Sequence, residues 1–471
     1  MKRKIFAKET AFCRGLRLGG MTAIGLSLLG LTNAANAQQS TGLSSAFLPS
    51  KLFLHDAVTF NQIQVATGLN RIINNGVTET SIGRFLAVPV VLPQDSLPLF
   101  IQTQVDLIAN TTNGLNPPAR VQAVQFALDQ LAPNLYTDLP FLTFSNTETV
   151  YGSLEQRMEE LRFGAVSQPL PQEPTITGTS KGGKDIKNPV EPPPPSEQKW
   201  GTFAYLNGKF GTLDSDNNGF GFDYQAGGVV IGADYRLTDK VAIGIAGGYE
   251  YANLDPKFVG GNGSANAGYG AVYTTYGGPT GLYAEAIGGA GYTSFAIQRD
   301  VLGTSAHGYP DAWDASAGGT LGYMIKLTNN LGFAPFGQLF YDNLWRSGTS
   351  ETGSIASLNV SHGSAETLDT IVGGKLVGSF YLGRVRLTNV LWAGYRHDYL
   401  QNVYAVSSSF LDGGIGSFVT QSPRFSADSI VAGAGVNADI TSRFSVSVNY
   451  QAQANSDYIE NLFTMGLKCK F

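Results

Sequence analysis

The C-terminal part of the chain alternates apolar and polar residues with a period of two. In the last stretch, NLFTMGLKCKF, every second side chain back from the terminus is apolar: Phe471, Cys469, Leu467, Met465 and Phe463. The stretches RFSVSVNYQ and SIVAGAGVNADI follow the same rule. This periodicity predicts β-strands with one apolar face and one small or polar face.

Twelve such strands are predicted after residue 199. They cover residues 201–211, 222–237, 240–254, 264–278, 280–297, 312–327, 330–345, 364–380, 383–397, 424–440, 442–455 and 459–471. Tight turns such as LTDK and LTNN alternate with longer loops rich in Gly, Asp and Ser, and only the last link, ANSDY, is shorter than this rule predicts. Short turns at one end and long loops at the other are typical of a transmembrane barrel.

The fold class predicted is therefore an all-β transmembrane barrel of 12 antiparallel strands, with a small and mainly α-helical N-terminal region. Hydrocarbon offers no partner to an unpaired strand edge, so the last strand must pair with the first. A soluble sandwich also alternates, and a secreted soluble β-protein remains a third class of interpretation.

Charged side chains orient the predicted barrel, because a charge that faces lipid is costly. On this argument seven residues face the lumen: Asp234, Arg236, Glu250, Glu285, Arg384, Arg386 and Arg396. In the ninth strand this choice turns Trp392 inward. Aromatic residues near the strand ends are predicted to form girdles at the membrane interface: Phe203, Tyr205, Tyr235, Tyr249, Tyr251, Tyr395, Tyr450, Phe463 and Phe471.

The N-terminus reads as an export signal. A basic segment precedes the apolar run MTAIGLSLLGL, and a small-x-small pattern follows, so residues 1–37 are predicted to be a signal peptide cleaved after Ala37. Its removal takes six of the 31 basic and one of the 36 acidic residues, which leaves a net charge of −10. That charge does not favour a nucleic-acid partner. Cys469 is then the only cysteine, so no intramolecular disulfide can form.

Two further segments precede the barrel. Residues 38–163 have helical periodicity, as in ETVYGSLEQRMEELRF, where Val150, Leu154, Met158 and Leu161 share one face. FNQIQVATGLNRII and ARVQAVQFALDQL are two more predicted helices. Residues 164–199 contain eight prolines and almost no side chains to bury, so they are predicted to be a linker. The barrel then spans residues 200–471.

The order of these motifs resembles that of autotransporters, the type V secretion family of Gram-negative outer membranes. WGTFAYLNGKFG resembles the first barrel strand of that family, FAPFGQLFY its seventh, AGYRHDY its ninth and NLFTMGLKCKF its last. The residues from ALDQLAPNLYTDLP to RMEELR are similar to the helical segment that precedes the family's barrel.

The resemblance implies an outer-membrane location and a mechanism. The barrel assembly machinery recognises the last strand, through Phe463, Leu467 and Phe471 here, with periplasmic chaperones and outer-membrane lipid as further partners. The segment before Trp200 threads the pore, and an N-terminal passenger is displayed outside, where it could meet an unidentified surface ligand. Family passengers usually have several hundred residues, whereas only residues 38–163 are available here.

No catalytic or cofactor signal stands out in the sequence. The four histidines (His55, His307, His362 and His397) lack metal-ligand spacing, and neither a G-x-S-x-G elbow nor a Walker pattern occurs. We predict no enzyme, no metal and no cofactor. The alternative to an autotransporter is a channel-like or structural outer-membrane barrel, whose N-terminal segment stays in the periplasm or plugs the lumen.

Overall fold

The computed structural model describes residues 57–74, 125–163, 199–301, 303–354, 356–400, 403–411 and 417–471. The predicted signal peptide with Ala37 and residues 164–198 of the predicted linker lie outside the described residues. Among the described residues, three helices precede the strands: α1 (Phe60–Asn74), α2 (residues 125–131) and α3 (Asn134–Phe163).

Seventeen strands follow in the described part of the chain. Twelve are long: β1 (Trp200–Leu213), β2 (Phe222–Thr238), β3 (Val241–Pro256), β4 (Gly261–Tyr276), β5 (Gly281–Val301), β7 (Asp311–Lys326), β8 (Leu331–Arg346), β11 (Gly363–Leu382), β12 (Val385–Asp398), β15 (Asp428–Asp439), β16 (Phe444–Ala454) and β17 (Tyr458–Lys470). Five are short and lie in the connections: β6 (Thr304–Gly308), β9 (Thr349–Ser350), β10 (Leu358–Val360), β13 (Ala405–Phe410) and β14 (Phe418–Gln421).

The twelve long strands form a closed antiparallel barrel, which confirms the predicted fold class. Each pairs with its neighbour along the chain, and β17 pairs with β1 from Lys470 opposite Gly201 to Tyr458 opposite Leu213. Trp200 and Phe471 exchange backbone hydrogen bonds of 3.1 and 2.9 Å at the end of this seam. Every long strand therefore has a partner on both sides, as a hydrocarbon environment requires.

The two ends of the barrel differ in their connections. Tight turns at residues 239–240, 277–280, 327–330, 383–384 and 440–443 lie at one end, which we call the turn end. The longer connections, and the three-residue link between β16 and β17, lie at the other end, which we call the loop end. This alternation is the one that the sequence predicted.

The strand faces follow the predicted alternation, with one correction in β1. Phe463 and Leu467 of β17, and Phe471 directly after it, are exposed on the outer surface. Phe203 and Tyr205, predicted to belong to the girdles, are instead buried inside the barrel against α3. The reason is the phase of β1: Lys209 shares their face, and the other face carries the exposed Leu206 and Phe210.

The inward aromatic rings need glycine beside them. Tyr205 lies directly opposite Gly466 on β17, and a Cβ at Gly466 would come within 2.4 Å of the Tyr205 ring. Tyr283 has the same relation to Gly322 on β7, again at 2.4 Å. Part of the high glycine content therefore makes room for rings that fill the lumen.

Helix α3 lies inside the barrel and crosses it from the loop end to the turn end. Near its start, Asn134 accepts a hydrogen bond of 2.9 Å from Asn61 of α1, which also contacts β14. Near its end, the carbonyl of Leu161 accepts a 2.6 Å hydrogen bond from Arg236, close to the first tight turn. None of the described helices is long and apolar enough to cross a membrane. The helix lies among polar and aromatic side chains of the barrel wall.

The loop end carries a small folded unit that we call the cap. It consists of α1, α2 and a four-stranded sheet in the order β14-β13-β10-β9. Its apolar side chains, among them Leu69, Leu128 and Phe418, belong to one buried cluster with the first turns of α3. In α1, the Asn61 side chain bonds both backbone groups of Gln421, donating and accepting at 2.8 Å. The N-terminal helices are thus packed on the barrel's long connections.

A helix held inside the barrel as the candidate functional site

The candidate site is the lumen, where α3 meets the barrel wall through paired charges. Near the turn end, Arg157 donates to both oxygens of Asp234, from Nε at 2.7 Å and from Nη2 at 3.1 Å. Arg162 forms a 2.9 Å ion pair with Glu285, and its guanidinium lies 3.6 Å from the ring centroid of Tyr283. These basic residues of the helix therefore meet acidic residues of β2 and β5.

The acidic residues of α3 meet basic residues on the other side of the barrel. Lys375 of β11 donates to Glu159 at 2.9 Å, and Lys468 of β17 donates to Glu160 at 2.5 Å. Tyr205 also donates to Glu160, at 2.9 Å. Together with the Arg157 and Arg162 pairs, these contacts set the rotation of the helix, because each partner lies on a different strand.

Closer to the loop end the contacts become a hydrogen-bond network. The ammonium group of Lys209 donates to the carbonyl and the hydroxyl of Ser145, both at 2.7 Å, and to Thr149 at 3.0 Å. Ser145 in turn donates to Glu460 at 2.8 Å. On the opposite wall Arg396 bonds Glu148 of α3 and, at 3.0 Å, Asp369 of β11. Helix α3 is therefore fixed in depth as well as in rotation.

Buried ion pairs cost desolvation, so their main effect is on specificity rather than stability. A helix that shifted by one turn would place several of these charges next to no partner, which would be strongly unfavourable. Because the pattern extends along most of α3, the lumen selects one position of this helix.

The predicted lumen residues lie in different environments. Four of them contact α3: Asp234, Arg236, Glu285 and Arg396. Glu250 is buried at 1% exposure, and Arg386 lines a cavity beside the helix. Arg384 differs from these six residues, because it lies in the tight turn before β12 and its side chain is exposed.

Other polar residues of this site were missed from the sequence. Among them are Lys209, Asp342, Asp369 and Lys375 on the barrel, and Glu148, Arg157, Glu159, Glu160 and Arg162 on α3. The four barrel residues also stand among apolar strand positions, so the same argument on charged positions could have found them. The helix residues could not be matched to strands from sequence, since their charged partners lie between 77 and 308 residues away.

The helix does not fill the lumen completely. A cavity of about 130 Å³ lies between α3 and strands β11, β12 and β15–β17. Polar and charged side chains such as Arg386, Asn437 and Lys470 line it together with Trp392. The inward position of Trp392 is the one that the charges of β12 implied.

No metal centre is found among the described residues. In that part of the chain no group of three or more His, Cys, Asp or Glu side chains could hold a metal ion. His397 lies at the loop end of β12, where its Nδ1 is 2.6 Å from Asp428 and its ring packs edge-on against Tyr399. This contact joins the ends of β12 and β15.

Comparison with known proteins assigns the barrel to a family. A family model described as the autotransporter β-domain matches residues 202–451. The chain therefore belongs to the autotransporter β-domain family, which places it in the outer membrane of a Gram-negative bacterium.

Individual relatives are distant. An extracellular serine protease of Serratia marcescens is 25% identical over 278 residues, which are 58% of this chain and 26% of that protein. The chain thus spans about a quarter of the length of that relative. Among solved structures, the translocator domain of autotransporter NalP from Neisseria meningitidis is 15% identical, with a TM-score of 0.49, and covers 59% of this chain and 90% of that one. The transport unit of the Escherichia coli autotransporter AIDA-I is 16% identical, with a TM-score of 0.44, and covers 60% and 95%.

Proposed function

We propose that this protein is an autotransporter that keeps its own short N-terminal segment in the pore and presents it on the cell surface as the cap. The observation that carries the proposal is the course of α3. It begins beside the cap at the loop end, and its last turn bonds Arg236 at the turn end. In outer-membrane barrels long loops face outward and short turns face the periplasm, so α1 and α2 lie on the outer side.

The short passenger fits this arrangement. Residues 38–163 include α1 and α2, which pack on the long connections, and α3, which occupies the lumen. The signal peptide ends at Ala37, and residues 164–199 connect α3 to β1. Because Leu161 and Lys199 both contact Arg236, this connection starts and ends at the turn end.

Membership of the family supports a route of assembly and a set of partners. The side chains of Phe463 and Leu467 are exposed on the outer face of β17, and that of Phe471 is exposed directly after it, which supports their recognition by the barrel assembly machinery. Periplasmic chaperones carry the chain to that machinery, and a surface ligand would meet the cap. The protein acts by insertion and display and not as an enzyme.

Two epitope tags test the orientation. One is inserted within residues 75–124, between α1 and α2, and the other within residues 164–198. Antibody added to intact cells should bind the first tag and reach the second only after the outer membrane is permeabilised. Labelling of the first tag only after permeabilisation would instead support the channel-like or structural barrel with a periplasmic N-terminal segment.

A further inference from the structure

The exposed charges of the barrel are divided between its two ends. Among the described residues, the exposed charged side chains at the turn end are five basic and one acidic: Lys199, Lys240, Lys326, Arg384 and Arg443, with Asp239. At the loop end six are acidic and one is basic: Asp214, Asp216, Asp223, Asp255, Asp428 and Asp457, with Arg424. A barrel with this distribution has a positive turn end and a negative loop end.

The basic residues of the turn end are spread around the barrel. Four of them, Lys240, Lys326, Arg384 and Arg443, lie in or beside four different tight turns, and Lys199 precedes β1 at the closing seam. Only the turn between β4 and β5, with the sequence GGPT, has no charged residue in it or directly beside it. We call these five residues the basic ring.

Four residues of the ring, Lys199, Lys326, Arg384 and Arg443, lie within two positions of an exposed apolar side chain of the barrel's outer surface. Leu327 follows Lys326 and is 53% exposed, and Leu382 precedes Arg384 by two residues and is 69% exposed. Phe444 follows Arg443 and is also exposed. Long basic side chains next to a lipid-facing apolar band extend their charge to the level of the headgroups.

We propose that the basic ring binds the anionic phospholipid headgroups of the leaflet that the tight turns face. Phosphate groups are the anions at that depth, and arginine and lysine are the side chains that bind them. The six acidic residues at the loop end repel the same headgroups, so the charge distribution also favours one orientation. That this leaflet is the periplasmic one rests on the proposed function, whereas the binding of anionic lipid does not.

The test measures lipids retained by the purified full-length protein. Folded protein in neutral detergent is mixed with equimolar phosphatidylglycerol and phosphatidylcholine of identical acyl chains, and bound lipids are counted by native mass spectrometry. The test variant carries Lys240→Gln, Lys326→Gln, Arg384→Gln and Arg443→Gln. The control variant carries Lys257→Gln and Arg424→Gln, which neutralise basic residues at the loop end.

The wild-type protein and the control should retain phosphatidylglycerol in preference to phosphatidylcholine. Each neutralised charge should weaken this retention about fivefold, so the fourfold variant should lose the preference. Equal retention by the fourfold variant and the wild type, or an equal loss in the control, would overturn the proposal.

Two pairwise variants, Lys240→Gln with Lys326→Gln and Arg384→Gln with Arg443→Gln, provide the same test if the fourfold variant does not fold. Each should show an intermediate loss. If the tag experiment contradicted the proposed orientation, the basic ring would face the other leaflet, but the lipids retained in detergent would be the same. The proposed orientation and the proposed lipid binding can therefore fail separately.

Discussion

Arg157 of α3 and Asp234 of β2 form a two-point ion pair inside the barrel, with donor-to-acceptor distances of 2.7 and 3.1 Å. Their side chains are 2% and 3% exposed. Tyr273 donates to the same carboxylate at 3.3 Å. The pair thus joins α3 to the barrel wall at a place where little water is available to replace either partner.

Asp234→Asn should destabilise the folded barrel by about 3 kcal/mol, because it leaves the buried Arg157 guanidinium with only the Glu160 carboxylate, 3.9 Å away, as a counter-charge. Urea unfolding of the detergent-solubilised protein measures the change. The double variant Arg157→Met with Asp234→Leu should recover most of the loss, since apolar residues of similar size often replace a buried pair at little cost.

The control for this variant is Asp214→Asn, which breaks the surface pair with Lys257 at 2.9 Å. The side chains of this pair are 67% and 25% exposed, so the loss should stay below about 1 kcal/mol. Equal effects of Asp234→Asn and Asp214→Asn would show that α3 is not held by the lumen charges.

The seam between β1 and β17 can be tested with the native Cys469. Thr202 is its direct partner across the seam, and both side chains belong to the outer face. Hydrogen-bonded antiparallel partners have Cα atoms about 5.5 Å apart, within the range of disulfides. Thr202→Cys should therefore form a disulfide with Cys469 under mild oxidation, visible as altered mobility on a non-reducing gel.

Phe203→Cys is the matched control for the seam. Its partner is Lys468 and its side chain faces the lumen, so it should not react with Cys469. A disulfide with Phe203→Cys and none with Thr202→Cys would mean that the register of the seam is shifted by one residue.

The positions of the strands could be predicted from sequence, because alternation and turn residues are local signals. The predicted last strand, residues 459–471, corresponds to Tyr458–Lys470, and the largest difference at a strand start is residue 424 against Asp428. It was harder to predict which face of β1 points inward, since WGTFAYLNGKF has aromatic residues on both faces. Lys209, on the face of Phe203 and Tyr205, was the available indication that this face is inward.

The interior and the cap could not be predicted in the same way. Lys375 and Glu159 are 216 residues apart, and no local pattern connects them. Helix α3 begins at Asn134 and passes through Pro140, whereas periodicity alone indicated a helix only in the second half of this range. Short alternating stretches such as YAVSSSF were the only local sign of the cap sheet.

The stability of the cap should depend on pH through one buried carboxyl group. Burial raises the pKa of Asp129 in α2 from its ordinary value near 3.8 to about 7, although Gln62 of α1 opposes this shift by donating to both its oxygens, at 2.9 and 3.0 Å. A raised pKa in the folded state stabilises the protonated cap, and this stabilisation is lost as the pH rises towards and through 7.

The protection of α1 backbone amides against hydrogen exchange should therefore fall between pH 5 and pH 8, after correction for the intrinsic exchange rate. Asp129→Asn should flatten this dependence, since its side chain does not titrate. Asp216→Asn, an exposed loop-end residue, is the control and should leave it unchanged. An unaltered pH dependence in Asp129→Asn would show that the Asp129 carboxyl is not the group responsible.

The terminal side chain should matter for assembly. Phe471 directly follows β17 and is 59% exposed, so Phe471→Ala should lower the amount of folded barrel in the outer membrane several-fold. The fraction that migrates as folded protein on unheated gels measures this amount. Cys469→Ala, two residues earlier on the same face, should assemble normally, and equal loss in both variants would contradict a specific role of Phe471.

The position of α3 inside the closed barrel is tested most directly by a disulfide between helix and wall. Ser153 of α3 donates to Asn207 of β1 at 3.3 Å, and both side chains are buried. In a Cys469→Ser background, the pair Ser153→Cys with Asn207→Cys should cross-link in native membranes. On a denaturing, non-reducing gel, α3 should then stay attached to the barrel after a protease site placed within residues 164–198 is cut. Ser153→Cys with Leu206→Cys, whose second cysteine faces outward, should release the helix fragment, and release from the first pair or retention by the second would contradict a helix in the lumen.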